Sequence, residues 1–301
     1  MNILMIGGSG FIGRHLAQTL AERGHSVTVP TRRRERARHL LVLPTVSVVE
    51  DDVHDPRRLQ KLMADQQAVI NLVGILRGGN GTPYGAGFSR AHVELPRKIA
   101  LAMQTTGLRR LLHISALRAA ATAPSGYLRS KAAGEAAIAA VRGLDVTVFR
   151  PSVIFGAGDA FLTLFARLQR CLPIVPLACA EAQFQPVWVG DVAASMADSL
   201  QRDETFGKSY ELCGPEVYTL RQLVAQAGVL SGHRRPIVGL PHAVAYLQAW
   251  AMEFVPGAPL SRDNLRSMQL ANISSGGPAL PFGRQPMALE TVAPGYLKRG
   301  G

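Results

Sequence analysis

The sequence predicts an α/β protein with a doubly wound parallel sheet and a smaller C-terminal α+β lobe. In the first half, short apolar runs alternate with segments of helical periodicity, as in parallel strands joined by crossover helices. The first run, residues 1–6, leads into Gly7, Gly10 and Gly13 and then into a helical pattern. Glycines at that place let the backbone approach a ligand, and a helix N-terminus suits a pyrophosphate. This context favours dinucleotide binding over an ordinary βα turn.

The other elements of the sheet follow in order along the chain. Strands two to six are predicted at residues 26–30, 46–50, 68–73, 108–115 and 144–149. Helices are predicted over residues 15–23, 57–65, 91–105 and 127–141, and a glycine-rich loop over 77–87. Asp55 is expected to cap the helix that starts at residue 57.

Basic residues directly after the second strand bear on the choice of cofactor. An Asp or Glu at this place usually holds the ribose hydroxyls of NAD, whereas an arginine suits a 2′-phosphate. Here the chain has Arg32, with Arg33 or Arg36 to assist it. NADP is therefore favoured over NAD, although a solvated basic helix start is the alternative reading of the same residues.

Two further strand ends carry residues suited to a nucleotide. Asp52 follows the third strand, where its carboxylate is expected to accept from an adenine amino group. Gly74 follows the fourth strand and permits close approach of a ligand to the backbone. Ligands of open α/β sheets bind at the carboxyl ends of the strands, so these residues are expected to share one edge.

The candidate catalytic residues are Ser115, Tyr127 and Lys131. Ser115 ends the fifth strand, and Tyr127 and Lys131 lie four residues apart on one helix face. A nearby ammonium group is expected to lower the pKa of the Tyr127 phenol. Tyr127 would then exchange a proton with a substrate oxygen that Ser115 also binds, while hydride moves at the nicotinamide.

From Arg150 onward the strict alternation ends, and a smaller lobe is predicted over residues 151–301. Residues 185–189 are expected to return to the main sheet, so that the two parts interleave around 185–200. Helices are predicted at 161–170, 192–200 (capped by Asp191), 220–229 (with a Thr219–Gln222 capping box), 242–254 and 262–270. The apolar helix at 242–254 is interpreted as part of the core. The alternatives are that it lines the pocket of a hydrophobic substrate or that it forms a docking face. The tail from Ser274 is expected to be mostly loop.

Composition limits the partners. The chain of 301 residues is 47% hydrophobic and 18% charged, which predicts a substantial core. Its formal net charge of +12 favours an anionic partner, and five arginines lie between residues 32 and 38. Nucleic-acid binding by this cluster is disfavoured because it has no interleaved aromatic residues. Three cysteines without zinc-ligand spacing predict no disulfide and no metal site. Without a signal peptide or an apolar membrane span, a cytoplasmic location is expected, with peripheral membrane association as the alternative.

Together these motifs resemble the extended short-chain dehydrogenase/reductase superfamily, in its NAD-dependent epimerase/dehydratase group. The resemblance rests on the turn Gly7-Gly8-Ser9-Gly10-Phe11-Ile12-Gly13, Asp52, Ser115, Tyr127-x-x-x-Lys131 and Arg150-Pro151-Ser152. Finer motifs at residues 113–117, 127–135 and 185–192 resemble bacterial relatives of the NADPH-binding accessory subunit of respiratory complex I.

This resemblance implies a Rossmann domain over residues 1–150 and a small C-terminal lobe. The cofactor contacts that it implies are Gly7, Ser9, Gly10, Phe11, Ile12, Gly13, Arg32, Arg33, Asp52, Val53, Gly74, Tyr127, Lys131 and Pro151. Two functions are compatible with it: an oxidoreductase in which Tyr127 is the acid/base, and a non-catalytic subunit in which Tyr127 and Lys131 only seat the ribose. The apolar second half favours a hydrophobic carbonyl or quinone-like substrate over a sugar nucleotide.

Overall fold

A computed structural model describes residues 1–255, 260–277 and 280–298 of the chain. The chain divides into two compact units. The first comprises residues 1–122, 126–150 and 192–210. The second comprises residues 123–125, 151–191 and the described residues from 211 onward.

The elements up to residue 151 follow the predicted order with shifted ends. The strands are β1 (Asn2–Ile6), β2 (Ser26–Thr31), β3 (Val46–Glu50), β4 (Ala68–Asn71), β5 (Arg110–Ile114) and β6 (Asp145–Pro151). The helices are α1 (Phe11–Glu22), α2 (Pro56–Met63), α3 (Ala86–Phe88), α4 (Leu95–Thr106) and α5 (Gly126–Ala139). A 3₁₀ segment covers Arg34–Leu40, and a π-helical segment, Ser89–Glu94, joins α3 to α4.

The remaining elements are mostly short. The strands are β7 (Ile154–Phe155), β8 (Val175–Leu177), β9 (Gln183–Phe184), β10 (Val187–Trp188), β11 (Lys208–Leu212), β12 (Tyr218–Thr219) and β13 (Ile237–Gly239). The helices are α6 (Phe161–Cys171), α7 (Val189–Ser199), α8 (Leu220–Leu230), α9 (His242–Met252), α10 (Arg262–Ser267), α11 (Leu289–Val292) and α12 (Pro294–Leu297). Further 3₁₀ segments cover Asp203–Thr205 and Pro281–Gly283.

The central feature is a seven-stranded sheet in the order β11-β6-β5-β4-β1-β2-β3. All neighbouring strands from β1 to β6 pair in parallel. The strand β1 lies between β2 and β4, where its Leu4 is opposite Thr28 of β2 and Val69 of β4. All four apolar side chains of β1, Ile3 to Ile6, are buried, as expected of a central strand covered on both faces. The predicted fold class is therefore confirmed.

One predicted strand of the main sheet lies elsewhere. Within residues 185–189, the strand β10 pairs with β7 in a separate two-stranded sheet. The seventh strand of the main sheet is instead β11. The segment that precedes β11 is held by Arg110 of β5. This arginine is only 6% exposed. The Arg110 guanidinium donates five hydrogen bonds, to the carbonyls of Asp145, Ser199 and Leu200 and to the hydroxyls of Thr147 and Thr205.

The second unit has its own apolar core, in which α6 packs on α8 through side chains such as Leu162, Leu223 and Val224. The predicted Thr219–Gln222 capping box is confirmed at the start of α8. The predicted cap by Asp191 is wrong, because α7 begins at Val189 and includes Asp191 in its first turn.

Most described residues of the tail from Ser274 lie outside helices, as predicted. Residues 289–297 contain the short helices α11 and α12, and Leu289, Leu297 and the intervening Ala293 belong to the same core cluster. These residues are spaced by four, which places them on one helical face, but Pro294 in their midst suggests a loop. Among the described residues, each helix is too short or too polar to span a bilayer.

Candidate dinucleotide and active site

The predicted site residues follow the carboxyl ends of five neighbouring parallel strands. Gly7 follows β1, Arg32 follows β2, Asp52 follows β3, Gly74 lies beyond β4 and Ser115 follows β5. Since parallel strands end at the same edge of a sheet, these residues occupy one edge of the first unit. Val53 follows Asp52, and Pro151 is the last residue of β6.

Two positions of the glycine turn have no room for a side chain. Gly7 has a φ of +84°, and a Cβ there would lie 3.0 Å from the backbone of Leu72 and Val73. A Cβ on Gly13 would lie 2.2 Å from the carbonyl oxygen of Gly8, a contact that no side-chain movement relieves. The Gly10 N–H donates to the Gly7 carbonyl at 3.1 Å, and α1 begins at Phe11 without a side-chain cap. The turn thus leaves the free N–H groups at the start of α1 accessible to an anion at close range, which fits a pyrophosphate.

The basic end of β2 faces solvent. Arg32 and Arg33 are exposed, and among the described residues neither has a carboxylate within salt-bridge distance. Thr31 fixes the turn, because its hydroxyl donates to the Arg33 carbonyl at 3.1 Å. On the next strand, the Asp52 carboxylate accepts from the His54 N–H at 3.0 Å. Asp55 caps α2 by accepting from the N–H groups of Arg57 and Arg58, which confirms the prediction.

Lys131 joins the ends of two strands. Its side chain is 2% exposed, and Nζ donates to the carbonyls of Val73 at 3.3 Å and Ile114 at 3.2 Å. A Cβ on Gly74 would lie 3.3 Å from the same Nζ, so a side chain there would crowd the ammonium group. Burial lowers the pKa of Lys131 to about 8, although the Glu135 charge acts in the opposite direction.

Tyr127 lies one helical turn before Lys131 in a pocket of rings. The ring of Phe88 is 6.1 Å away and that of His92 is 5.6 Å away, both in edge-on geometry. The sequence leads us to expect a lowered pKa for the phenol, but burial raises the pKa of Tyr127 to about 12. The expectation fails because burial disfavours the phenolate, while the Lys131 ammonium is engaged by backbone carbonyls. Tyr127 is accordingly protonated at neutral pH.

Two buried polar groups on and beside β5 have no hydrogen-bond partner among the described residues. They are the Ser115 hydroxyl, in a residue that is 4% exposed, and Nε2 of His113. The Ser115 N–H is fixed by the Phe149 carbonyl at 2.7 Å. Because buried polar groups are nearly always paired, an unpaired hydroxyl at the ligand edge of a sheet fits a bound substrate or cofactor.

His92 is a functional candidate that the sequence analysis does not identify. It lies in the π-helical segment and is 1% exposed. Its Nε2 accepts from the Ile75 N–H at 3.0 Å, and its Nδ1 lies 2.8 Å from the Ser130 hydroxyl, which donates to the Tyr127 carbonyl. Burial, together with the charges of Lys131 and His113, lowers the pKa of His92 to about 2, so the ring is neutral. His92 therefore ties the loop after β4 to the helix that carries Tyr127.

The sequence does contain two signals for this arrangement. Pro96 lies four residues after His92 and has no N–H to donate to the His92 carbonyl. The α-helical hydrogen bond is therefore missing at this point, which favours a π-helical turn. Gly134 faces that carbonyl, and a Cβ there would lie 2.0 Å from the oxygen. A proline and a distant glycine thus let α5 pack directly on the π-helical segment.

The described residues contain no group of three side chains suited to a metal ion. All three cysteines, Cys171, Cys179 and Cys213, are free thiols.

A family model described as the NAD dependent epimerase/dehydratase family matches residues 3–213. The chain belongs to this family. The matched region contains the glycine turn, Ser115, Tyr127 and Lys131, so the sequence-based recognition of the family is confirmed.

The relatives extend the similarity along the chain. The mitochondrial NADH dehydrogenase (ubiquinone) 1 alpha subcomplex subunit 9 of Arabidopsis thaliana is 33% identical over 261 residues, which are 83% of this chain and 63% of that protein. The chain spans about three fifths of the length of such complex I relatives. A ceramide reductase of Caulobacter vibrioides is 28% identical over 83% of this chain and 78% of its own length.

Solved structures agree on the fold. A nucleoside-diphosphate-sugar epimerase from Staphylococcus aureus superposes with a TM-score of 0.76, covering 99% of this chain and 100% of that one at 16% identity. At this identity the likeness concerns the Rossmann-like architecture alone. The epimerase/dehydratase fold predicted from the sequence motifs is thus confirmed independently of those motifs.

Proposed function

We propose that this protein is an NADP(H)-dependent oxidoreductase that reduces a hydrophobic carbonyl or quinone-like substrate. The observation that carries the proposal is the unpaired, buried Ser115 hydroxyl at the end of β5, combined with Tyr127 and Lys131 on one face of α5. A hydroxyl donor, a protonated phenol and an ammonium group are the groups needed to bind and protonate an oxygen at a dinucleotide site.

The residues of the site have separate roles in binding the cofactor and protonating the substrate. Gly7, Gly10 and the N-terminus of α1 bind the pyrophosphate, and Lys131 binds the nicotinamide ribose. When bound, NADPH supplies the hydride. Ser115 donates a hydrogen bond to the substrate oxygen, and Tyr127 gives it a proton. Burial raises the pKa of Tyr127 to about 12, so the phenol carries its proton at neutral pH, which is the form needed to protonate a substrate oxygen.

The ceramide reductase relative supports the hydrophobic substrate, because it is named for a lipid substrate and its alignment covers 83% of this chain and 78% of that protein. The test is a screen of NADPH oxidation against aliphatic ketones, acyl-chain ketones and quinones. Absence of turnover with every class would reject the oxidoreductase.

The cofactor preference gives the first prediction. Arg32→Asp is expected to weaken NADPH binding about 100-fold and to leave NADH binding nearly unchanged, because one charge-assisted contact to a 2′-phosphate is lost. Isothermal titration of both nucleotides measures this. Arg38→Asp is the matched control, since it removes an exposed arginine from the 3₁₀ segment of the same basic cluster. Equal losses in the two variants would show a general charge effect instead of 2′-phosphate recognition.

The pKa of Lys131 gives the second prediction. Its pKa is lowered to about 8, so the ammonium form that donates to a ribose is lost as the pH rises through that value. The dissociation constant of NADPH is therefore expected to rise about tenfold per pH unit above pH 8 and to be flat below it. Fluorescence titration on both sides of pH 8 measures it. In Lys131→Met, binding should be weak and without this pH dependence; an unchanged profile would remove Lys131 from the ribose site.

A second candidate function is that of an accessory subunit of a respiratory or quinone-pathway complex. It is favoured by the complex I relatives, of which the Arabidopsis subunit is 33% identical. In this role Tyr127 and Lys131 only seat the nucleotide. The test is affinity capture from detergent-solubilised membranes with bound NADPH retained. Recovery of the chain without any component of such a complex would count against this function.

A further inference from the structure

The helix α9 has an unusual distribution of burial. Its two inward residues, Ala245 and Ala249, pack on Ala178 and Leu265. Six bulky side chains on or just after the helix are instead exposed by 37 to 71%: Val244, Tyr246, Leu247, Trp250, Phe254 and Val255. Core packing, one interpretation of this segment from the sequence, therefore applies only to the alanine stripe.

The exposed side chains form a coherent surface, which we call the α9 face (Val244, Tyr246, Leu247, Trp250, Phe254 and Val255). The rings of Trp250 and Phe254 contact each other edge-on at 5.2 Å. The eleven residues of α9 include no Asp, Glu, Lys or Arg. Exposed apolar area of this kind is unfavourable in water, so it is usually covered by a partner or a membrane.

The sequence that contains the α9 face carries more positive than negative charges. Glu253 follows the helix, but its carboxylate is paired with Arg262 at 2.7 Å and is only 16% exposed. The Arg262 guanidinium in turn lies 5.8 Å from the Tyr246 ring. Residues 231–270 contain four arginines against two carboxylates, and the whole chain has a net charge of +12. An anionic partner therefore complements this region, and a cationic one does not.

These features fit a bilayer surface better than a protein groove. Trp and Tyr are favoured at the boundary between headgroups and acyl chains, where an apolar ring carries a polar edge. A protein partner would be recognised by a rim of specific polar or charged groups, whereas a bilayer needs only apolar area beside positive charge. We propose that the α9 face binds the surface of an anionic phospholipid bilayer, with Leu247, Trp250 and Phe254 at the headgroup–acyl boundary.

Vesicle sedimentation tests the proposal, and it is independent of catalysis. The full chain is expected to bind phosphatidylglycerol/phosphatidylcholine vesicles and to bind pure phosphatidylcholine vesicles more weakly. Leu247→Glu should lower the partition coefficient for the mixed vesicles at least about tenfold, because it places a charge in the contact. Val42→Glu is the matched control, since Val42 is 80% exposed but lies in the first unit. Equal binding by wild type and Leu247→Glu, or no binding by wild type, overturns the proposal.

Tryptophan fluorescence gives a second measurement that does not depend on a disruptive variant. The chain has two tryptophans, Trp188 and Trp250, so Trp250→Phe removes the reporter while preserving an apolar face. Wild type is expected to show a blue shift on mixed vesicles, and Trp250→Phe is expected to bind without that shift. A blue shift retained in Trp250→Phe contradicts the proposal. Self-association of wild type that Leu247→Glu abolishes, without vesicle binding, would instead assign the α9 face to a second copy of the chain.

Discussion

Tyr127→Phe is expected to lower kcat for NADPH-dependent reduction by about 10²- to 10⁴-fold, the usual contribution of a positioned general acid. The variant keeps the ring that contacts Phe88 and His92 and removes only the proton-donating oxygen. NADPH affinity should change little, because the pyrophosphate turn and Lys131 are retained. Stopped-flow measurement of single-turnover NADPH oxidation, with a separate nucleotide titration, distinguishes the two effects.

Tyr246→Phe is a suitable control for this experiment, because it removes another phenol hydroxyl from α9, a helix of the second unit that carries none of the candidate site residues. Its turnover should match that of wild type. Equal rates for wild type and Tyr127→Phe would remove Tyr127 from the chemistry and favour the accessory-subunit function. A loss of NADPH binding in Tyr127→Phe would show that the phenol seats the ribose.

The pH dependence separates the site's titrating groups. Burial lowers the pKa of His113 to about 3 and that of His92 to about 2, so both rings are neutral across the working range. A change in activity near pH 6.5 therefore cannot be assigned to either of them, whereas the lowered pKa of Lys131, about 8, predicts a change near pH 8.

The parts of the site that the sequence predicts are those encoded locally. The glycine turn, the strands and the Tyr127–Lys131 spacing each lie within a few residues, where periodicity and glycine sterics decide the conformation. Arg32, Asp52, Gly74 and Ser115 then fall at one sheet edge as a consequence of parallel topology.

What the sequence does not reveal depends on contacts between distant residues. The pKa of Tyr127 is set by burial among Phe88 and His92, which are 39 and 35 positions away, and not by the neighbouring Lys131 that the spacing emphasises. The role of His92 likewise requires Ile75 and Ser130 to meet on one ring. The short strand β10 has too few residues for its pattern to show which sheet it joins.

Arg110 is the clearest case in which strand periodicity hides a structural role. Its sequence neighbours Arg109 and Leu111 suggest an ordinary strand start, yet its partners Ser199, Leu200 and Thr205 lie about ninety positions later. The guanidinium also lies 4.7 Å from the centre of the Phe206 ring. Although burial lowers the pKa of Arg110 to about 10, the side chain remains charged at neutral pH.

Arg110→Met is accordingly expected to lower the free energy of unfolding by about 3–5 kcal/mol, because three backbone carbonyls and two hydroxyls lose their donor in a buried place. Arg109→Met is the matched control. Arg109 is the adjacent arginine, with a side chain 66% exposed, and its ion pair with Asp145 should contribute less than about 1 kcal/mol. Urea denaturation of both variants measures the difference. Similar small losses in both would mean that residues 192–210 are held to the sheet by apolar packing and β11 pairing, without help from the buried guanidinium.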